Sequence, residues 1–138
     1  MKRRYFFLIL SVLVMNTGIS RAYEYSQEYI NCEKSRGYAN QLSCLQEEKI
    51  RLWQRIDELQ KKVESSSLYN GLKVTGYTLE QQKKDWNDYI NSFCTYSAAT
   101  ECDDYRNPEV NKEDCLIKFS SVLLEAWQDI LPEEPNRY

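Results

Sequence analysis

Three long stretches of this chain carry apolar residues at spacings of three, four and seven, and no stretch shows convincing alternation at period two. A helix brings a side chain back to the same face about every 3.6 residues and a strand every two, so the pattern commits the chain to packed helices. In the first stretch, from about Asn40 to Glu64, Leu42, Leu45, Leu52, Ile56, Leu59 and Val63 form a seam that only Lys49 interrupts. Arg51, Arg55, Glu58 and Lys61 fall on the other side. The second stretch starts at Thr78, where Thr78 and Gln81 stand at capping-box spacing, and continues through Leu79, Trp86, Tyr89, Ile90 and Phe93. The third opens at about Asn111 and carries Leu116, Phe119, Leu123, Trp127 and Ile130, with Pro132 to end it. A short helix is expected over about Gln27 to Ser35, capped by Ser26 and stopped by Gly37. Ser65 to Tyr77 and Ala98 to Asn111 read as links, and Leu72 to Tyr77 could pair briefly as a strand. Amphipathic helices must bury their stripes against one another. The expected fold is all-α: a small disulfide-stapled bundle of three long helices plus a short N-terminal helix.

Residues 1–22 have a different character. Met1-Lys2-Arg3-Arg4 are basic, Tyr5 through Met15 are almost wholly apolar, and Ser20-Arg21-Ala22 place small residues where signal peptidase needs them. A membrane span needs about 20 apolar residues, and this run is roughly half that. The segment reads as a cleavable signal peptide, with no stable membrane anchor after cleavage and residues 23–138 forming a single domain. The leader holds four of the 18 basic residues and none of the 21 acids, so residues 23–138 have 14 basic and 21 acidic residues and a net charge of −7. Such a balance repels nucleic acid and anionic lipid, and it favours a basic protein as partner.

All five cysteines, Cys32, Cys44, Cys94, Cys102 and Cys115, follow the leader. Export to the periplasm or the medium would put them in an oxidising compartment, where disulfides are the default. Five cysteines leave one odd, and spacing alone does not choose among the pairings.

Histidine is absent from the chain, which excludes Ser-His-Asp and Cys-His catalysis and the common zinc sites. No Gly-rich phosphate loop occurs, and the acidic run Glu101-Cys102-Asp103-Asp104 lacks the alternate spacing of a calcium loop. Most carboxylates fall on faces expected to be wet, where neither member of a pair would be perturbed as acid–base catalysis requires. No enzyme activity, cofactor or metal is expected. Aromatics are plentiful, and Tyr69, Tyr77 and Tyr105 in the two links are candidates for partner contact, with Glu101, Asp103 and Asp104 beside them.

The segment from Leu79 to Cys94 has the frame Leu-x6-Trp-x2-Tyr-x4-Cys, built on Leu79, Trp86, Tyr89 and Cys94. It resembles the central motif of the lysozyme inhibitor LprI-like family of exported bacterial proteins. Cys32 and Cys44 resemble that family's two early cysteines, and Cys115 with Ser120 its last Cys and nearby Thr. The likeness covers roughly residues 32 to 127. Asn40-Gln41, Trp53-Gln54 and Leu123 depart from the usual residues, and Cys102 is an addition.

Within this frame Leu79, Trp86, Tyr89 and Phe93 are expected to face the core. Cys94 at the end of its helix would then bridge to Cys115 at the start of the next, and Cys32 would staple the short helix to Cys44. Cys102 is left odd, with Cys94–Cys102 as the rival pairing. The resemblance implies an exported binding protein that occludes lysozyme or a related peptidoglycan hydrolase. Alternatives are an immunity protein against a wall-degrading toxin, and a structural or adaptor component of the envelope.

Overall fold

The computed structural model describes residues 23–66, 78–100 and 107–129. Among the described residues four helices follow one another: α1, Gln27–Arg36; α2, Gln41–Ser65; α3, Leu79–Thr100; and α4, Pro108–Gln128, with a short 3₁₀ turn, Tyr38–Asn40, between the first two. No strand occurs among the described residues. The fold is all-α, as the periodicity predicts.

Local chemistry sets the helix ends. The Ser26 hydroxyl accepts the Tyr29 N–H at 3.2 Å, satisfying one of the free donors of the first turn of α1. Gly37 ends that helix at φ 71°, a conformation that side chains disfavour, and its N–H reaches the Glu33 carbonyl at 3.0 Å. Thr78 caps α3 by accepting the Gln81 N–H at 3.1 Å. The Gln81 side chain does not close the box; it donates to Asp85 at 2.7 Å.

Two boundaries differ from expectation. Helix α3 continues through Thr100, past Ala98, where the link was expected to begin. Helix α4 begins at Pro108, three residues before Asn111. The cause of the early start is Asn107, whose side-chain oxygen accepts the Glu109 N–H at 3.0 Å, followed by a proline that needs no donor in the first turn.

Helix α4 is the centre of the packing. Helices α2 and α3 each lie against α4 far more than against each other, and α1 lies on α2. The main core joins Leu45, Leu52, Ile56, Leu59 and Val63 of α2 to Val110, Ile117, Leu124 and Trp127 of α4, with Tyr29 and Leu79 at its margins. Each such side chain contributes about 1.5–3 kcal/mol when fully buried. A smaller cluster of Ile90, Cys94 and Leu116 joins α3 to α4, with Trp53, Trp86 and Phe119 around it. The Trp86 indole N–H donates to the Phe119 carbonyl at 2.9 Å.

Two disulfides complete the frame. Cys32–Cys44 ties α1 to α2 with 5.8 Å between Cα atoms, and Cys94–Cys115 ties α3 to α4 with 5.6 Å. The rival Cys94–Cys102 bridge is therefore not formed. Bridges of this kind belong to an oxidising compartment. No helix among the described residues is long and apolar enough to cross a membrane.

The seam of α2 contains a residue the apolar pattern passed over. Glu48 lies three residues after Leu45 and four before Leu52, and it is 1% exposed. Lys49, which interrupts the seam in the sequence, sits at its edge and pairs with Glu113 of α4 at 2.5 Å.

Candidate functional site

Helix α3 carries two apolar stripes rather than one. Leu79, Ile90, Cys94 and Ala98 are buried, Ile90 and Cys94 against Leu116 of α4, and Trp86 is half-buried beside them. Tyr89 and Phe93, expected in the core, are 56% and 39% exposed. The correction follows from helix geometry. Ile90 and Cys94 lie about 100° around the axis from Tyr89 and Phe93 respectively, and only one of the two flanks can point at α4. The smaller, wholly apolar residues take that flank. The rings with room to reach water take the other.

The outward flank forms a continuous aromatic row. Tyr89 stacks on Phe93 with ring centroids 6.1 Å apart, Trp86 lies 5.9 Å from Tyr89, and Phe93 meets Phe119 of α4 edge-on at 5.0 Å. Tyr96 extends the row one turn further and is 72% exposed, while Val122 of α4, one turn after Phe119, is 48% exposed. Exposed acids border the row: Asp85 one turn before Tyr89, Asp88 one turn beyond Asp85, and Glu125 one turn after Val122. The nearest cation of α4, Lys118, is held by Asp114 at 2.6 Å.

This face is rigid as well as apolar. The Cys94–Cys115 bridge and the Trp86–Phe119 hydrogen bond lock the two helices that present it. Scattered exposed apolar residues are ordinary, whereas a contiguous aromatic patch with a charged border is the anatomy of a protein-binding surface. Tyr96 was legible as a partner of this row, because it stands seven residues after Tyr89 and three after Phe93.

The other candidate contact residues, Tyr69, Tyr77, Glu101, Asp103, Asp104 and Tyr105, lie outside the described residues, as does Cys102.

Two polar clusters occupy other parts of the bundle. Glu48 receives the Tyr23 hydroxyl at 2.6 Å, the Ser26 N–H at 2.9 Å and hydroxyl at 2.6 Å, and the Arg51 Nε at 3.0 Å. Burial disfavours its charged form, but these donors, Ser26 and Tyr23 foremost, hold its carboxyl below the usual range. The cluster pins Tyr23 and Ser26, just ahead of α1, onto α2. Nearby, burial and a hydrogen bond to Glu33 push the Tyr29 hydroxyl up to about 12. At the other end, Lys83 of α3 reaches Asp57 at 3.0 Å and Gln60 at 2.8 Å on α2, and Glu80 at 3.0 Å. Burial alone would lower the Lys83 pKa; the Glu80 and Asp57 carboxylates raise it above the usual lysine value.

Among the described residues no group of three or more His, Cys, Asp or Glu is placed to hold a metal ion. No family model, curated protein or solved structure matches this chain.

Proposed function

We propose that this chain is an exported binding protein, periplasmic or secreted, that occludes a basic wall-degrading hydrolase such as lysozyme through the aromatic face of α3 and α4. The observation that carries the reading is the row Tyr89, Phe93 and Tyr96, backed by Phe119 and bordered by Asp85, Asp88 and Glu125. Aromatic rings supply binding area with little loss of rotamer freedom, and a domain of net charge −7 steers towards a cationic partner. The resemblance of Leu79 to Cys94 to the LprI-like motif supports the same target class. Inhibition is stoichiometric and asks no chemistry of this chain.

The test is clearance of a bacterial cell-wall suspension by lysozyme, with and without the purified domain, at low and physiological salt. Protection that saturates near one equivalent and weakens as salt rises supports the proposal. Undiminished clearance at several-fold molar excess in low salt refutes lysozyme as the target.

A further inference from the structure

Because α2 and α3 both pack on α4 and scarcely on each other, a groove opens between them on the side of α3 away from the aromatic row. It encloses about 460 Å³, within the range of small-molecule sites. Lys49 and Trp53, one turn apart on α2, form one wall. Glu80, Lys83, Lys84, Asn87 and Asn91 of α3 form the other, over Ile90, Leu116 and Ser120.

Ser120 is the observation that points to a ligand. It is 0% exposed, and its hydroxyl has no hydrogen-bond partner. Buried polar atoms are almost always paired, because an unpaired one loses its water for nothing in return. Ser120 is one of the residues that line the groove.

The remaining lining defines the ligand's chemistry. Lys49 is engaged by Glu113, and Lys83 by Asp57 and Glu80, so those charges are balanced within the protein. A bare multivalent anion would find little net attraction there. Trp53 offers a flat apolar surface, while Asn87, Asn91 and Ser120 offer amide and hydroxyl groups suited to a ligand rich in hydroxyls. Lys84 has no ion-pair partner among the described residues, which leaves one cation for one negative charge.

We propose that this groove binds a small acidic saccharide, its ring against Trp53, its hydroxyl or amide groups on Asn87, Asn91 and Ser120, and its carboxylate on Lys84. The site is separate from the aromatic face, and it stands or falls independently of the hydrolase reading.

The experiment is an NMR titration of the ¹⁵N-labelled domain with N-acetylmuramic acid, and in parallel with N-acetylglucosamine, which has the same ring without the carboxylate. The chain has three tryptophans and therefore three indole N–H signals. Saturable movement of the Trp53 signal is expected, with the buried Trp127 signal unmoved. N-acetylmuramic acid should bind more tightly, and Lys84→Ala should weaken it by about fivefold, the scale of an exposed ion pair, while leaving N-acetylglucosamine unchanged. Ser120→Ala should weaken both sugars. No movement of the Trp53 signal with either sugar overturns the proposal, and so does equal binding of both sugars to wild type and Lys84→Ala.

Discussion

Ser26 gives both its backbone N–H and its hydroxyl to the carboxylate of Glu48, at 2.9 and 2.6 Å, across 22 residues of sequence. The same hydroxyl accepts the Tyr29 N–H, so one serine caps α1 and anchors that helix to the centre of α2. A carboxylate at 1% exposure would be costly alone. Four donors from three residues make it tolerable, and they make the attachment of α1 depend on its charge.

Glu48→Gln should therefore destabilise the domain at neutral pH by about 2–3 kcal/mol, the scale of hydrogen bonds to a charged group. The pH dependence has a definite sign. The Glu48 pKa is lower in the folded state than its ordinary 4.5. Its contribution is thus complete above 4.5 and is lost as pH falls through the folded value. Urea unfolding at a series of pH values should show the gap between wild type and Glu48→Gln full near pH 7 and shrinking below 4.5. A gap that is constant with pH would show that packing, rather than charge, holds the site.

The two disulfides should not be equal. Cys94–Cys115 spans 21 residues and Cys32–Cys44 spans 12, and the longer loop restricts the unfolded chain more. Replacing Cys94 and Cys115 with Ser should cost about 3 kcal/mol, several tenths more than the equivalent change at Cys32 and Cys44. Chemical denaturation of the two double variants checks the order. With those four cysteines paired, Cys102 is the one cysteine left, so alkylation of the unreduced protein should label one thiol per chain, at Cys102. A covalent dimer on a non-reducing gel would instead account for that sulfur by a bridge between chains.

The outward aromatics separate binding from folding. Tyr89→Ser and Tyr96→Ser remove rings that are more than half exposed, so each should leave the unfolding midpoint within about 0.5 kcal/mol of wild type. If the face binds a hydrolase as proposed, the same changes should weaken inhibition about 30-fold each, the lower bound of a hot-spot residue. Inhibition assays and unfolding curves on the same preparations distinguish the two effects. Loss of stability without loss of binding would place these rings in the structural frame.

Why some of this was legible in the sequence and some was not can be followed along α2 and α3. Leu45, Leu52, Ile56, Leu59 and Val63 share one face at unambiguous spacing, and the structure buries them together. The caps at Ser26, Gly37 and Thr78 depend only on neighbours within a few residues, so they too were readable. Glu48 escaped because three of its four donors come from Ser26 and Tyr23, 22 and 25 residues upstream, in a segment with little periodicity of its own. The fate of Tyr89 and Phe93 turned on which of two apolar flanks meets α4, a choice that belongs to tertiary packing. The groove depends on α2 and α3 standing apart on α4, and no local pattern records that separation.

Ser120 offers a test of stability that needs no ligand. Its hydroxyl is buried without a partner, on a helix whose neighbouring Ser121 satisfies its own by donating to the Lys118 carbonyl at 2.7 Å. An unpaired buried hydroxyl costs about 1–3 kcal/mol, and alanine removes it while changing little volume. Ser120→Ala should accordingly raise the unfolding free energy by about 1 kcal/mol, the low end of that range, because removing the oxygen also removes its dispersion contacts. Ser121→Ala should lower it by a similar amount, since there a formed bond is lost and an acceptor is left with one partner fewer. Urea titrations of the two neighbours make the comparison internal. If both variants lose stability alike, the Ser120 hydroxyl is already paired in solution, and the strongest reason to expect a ligand in the groove disappears.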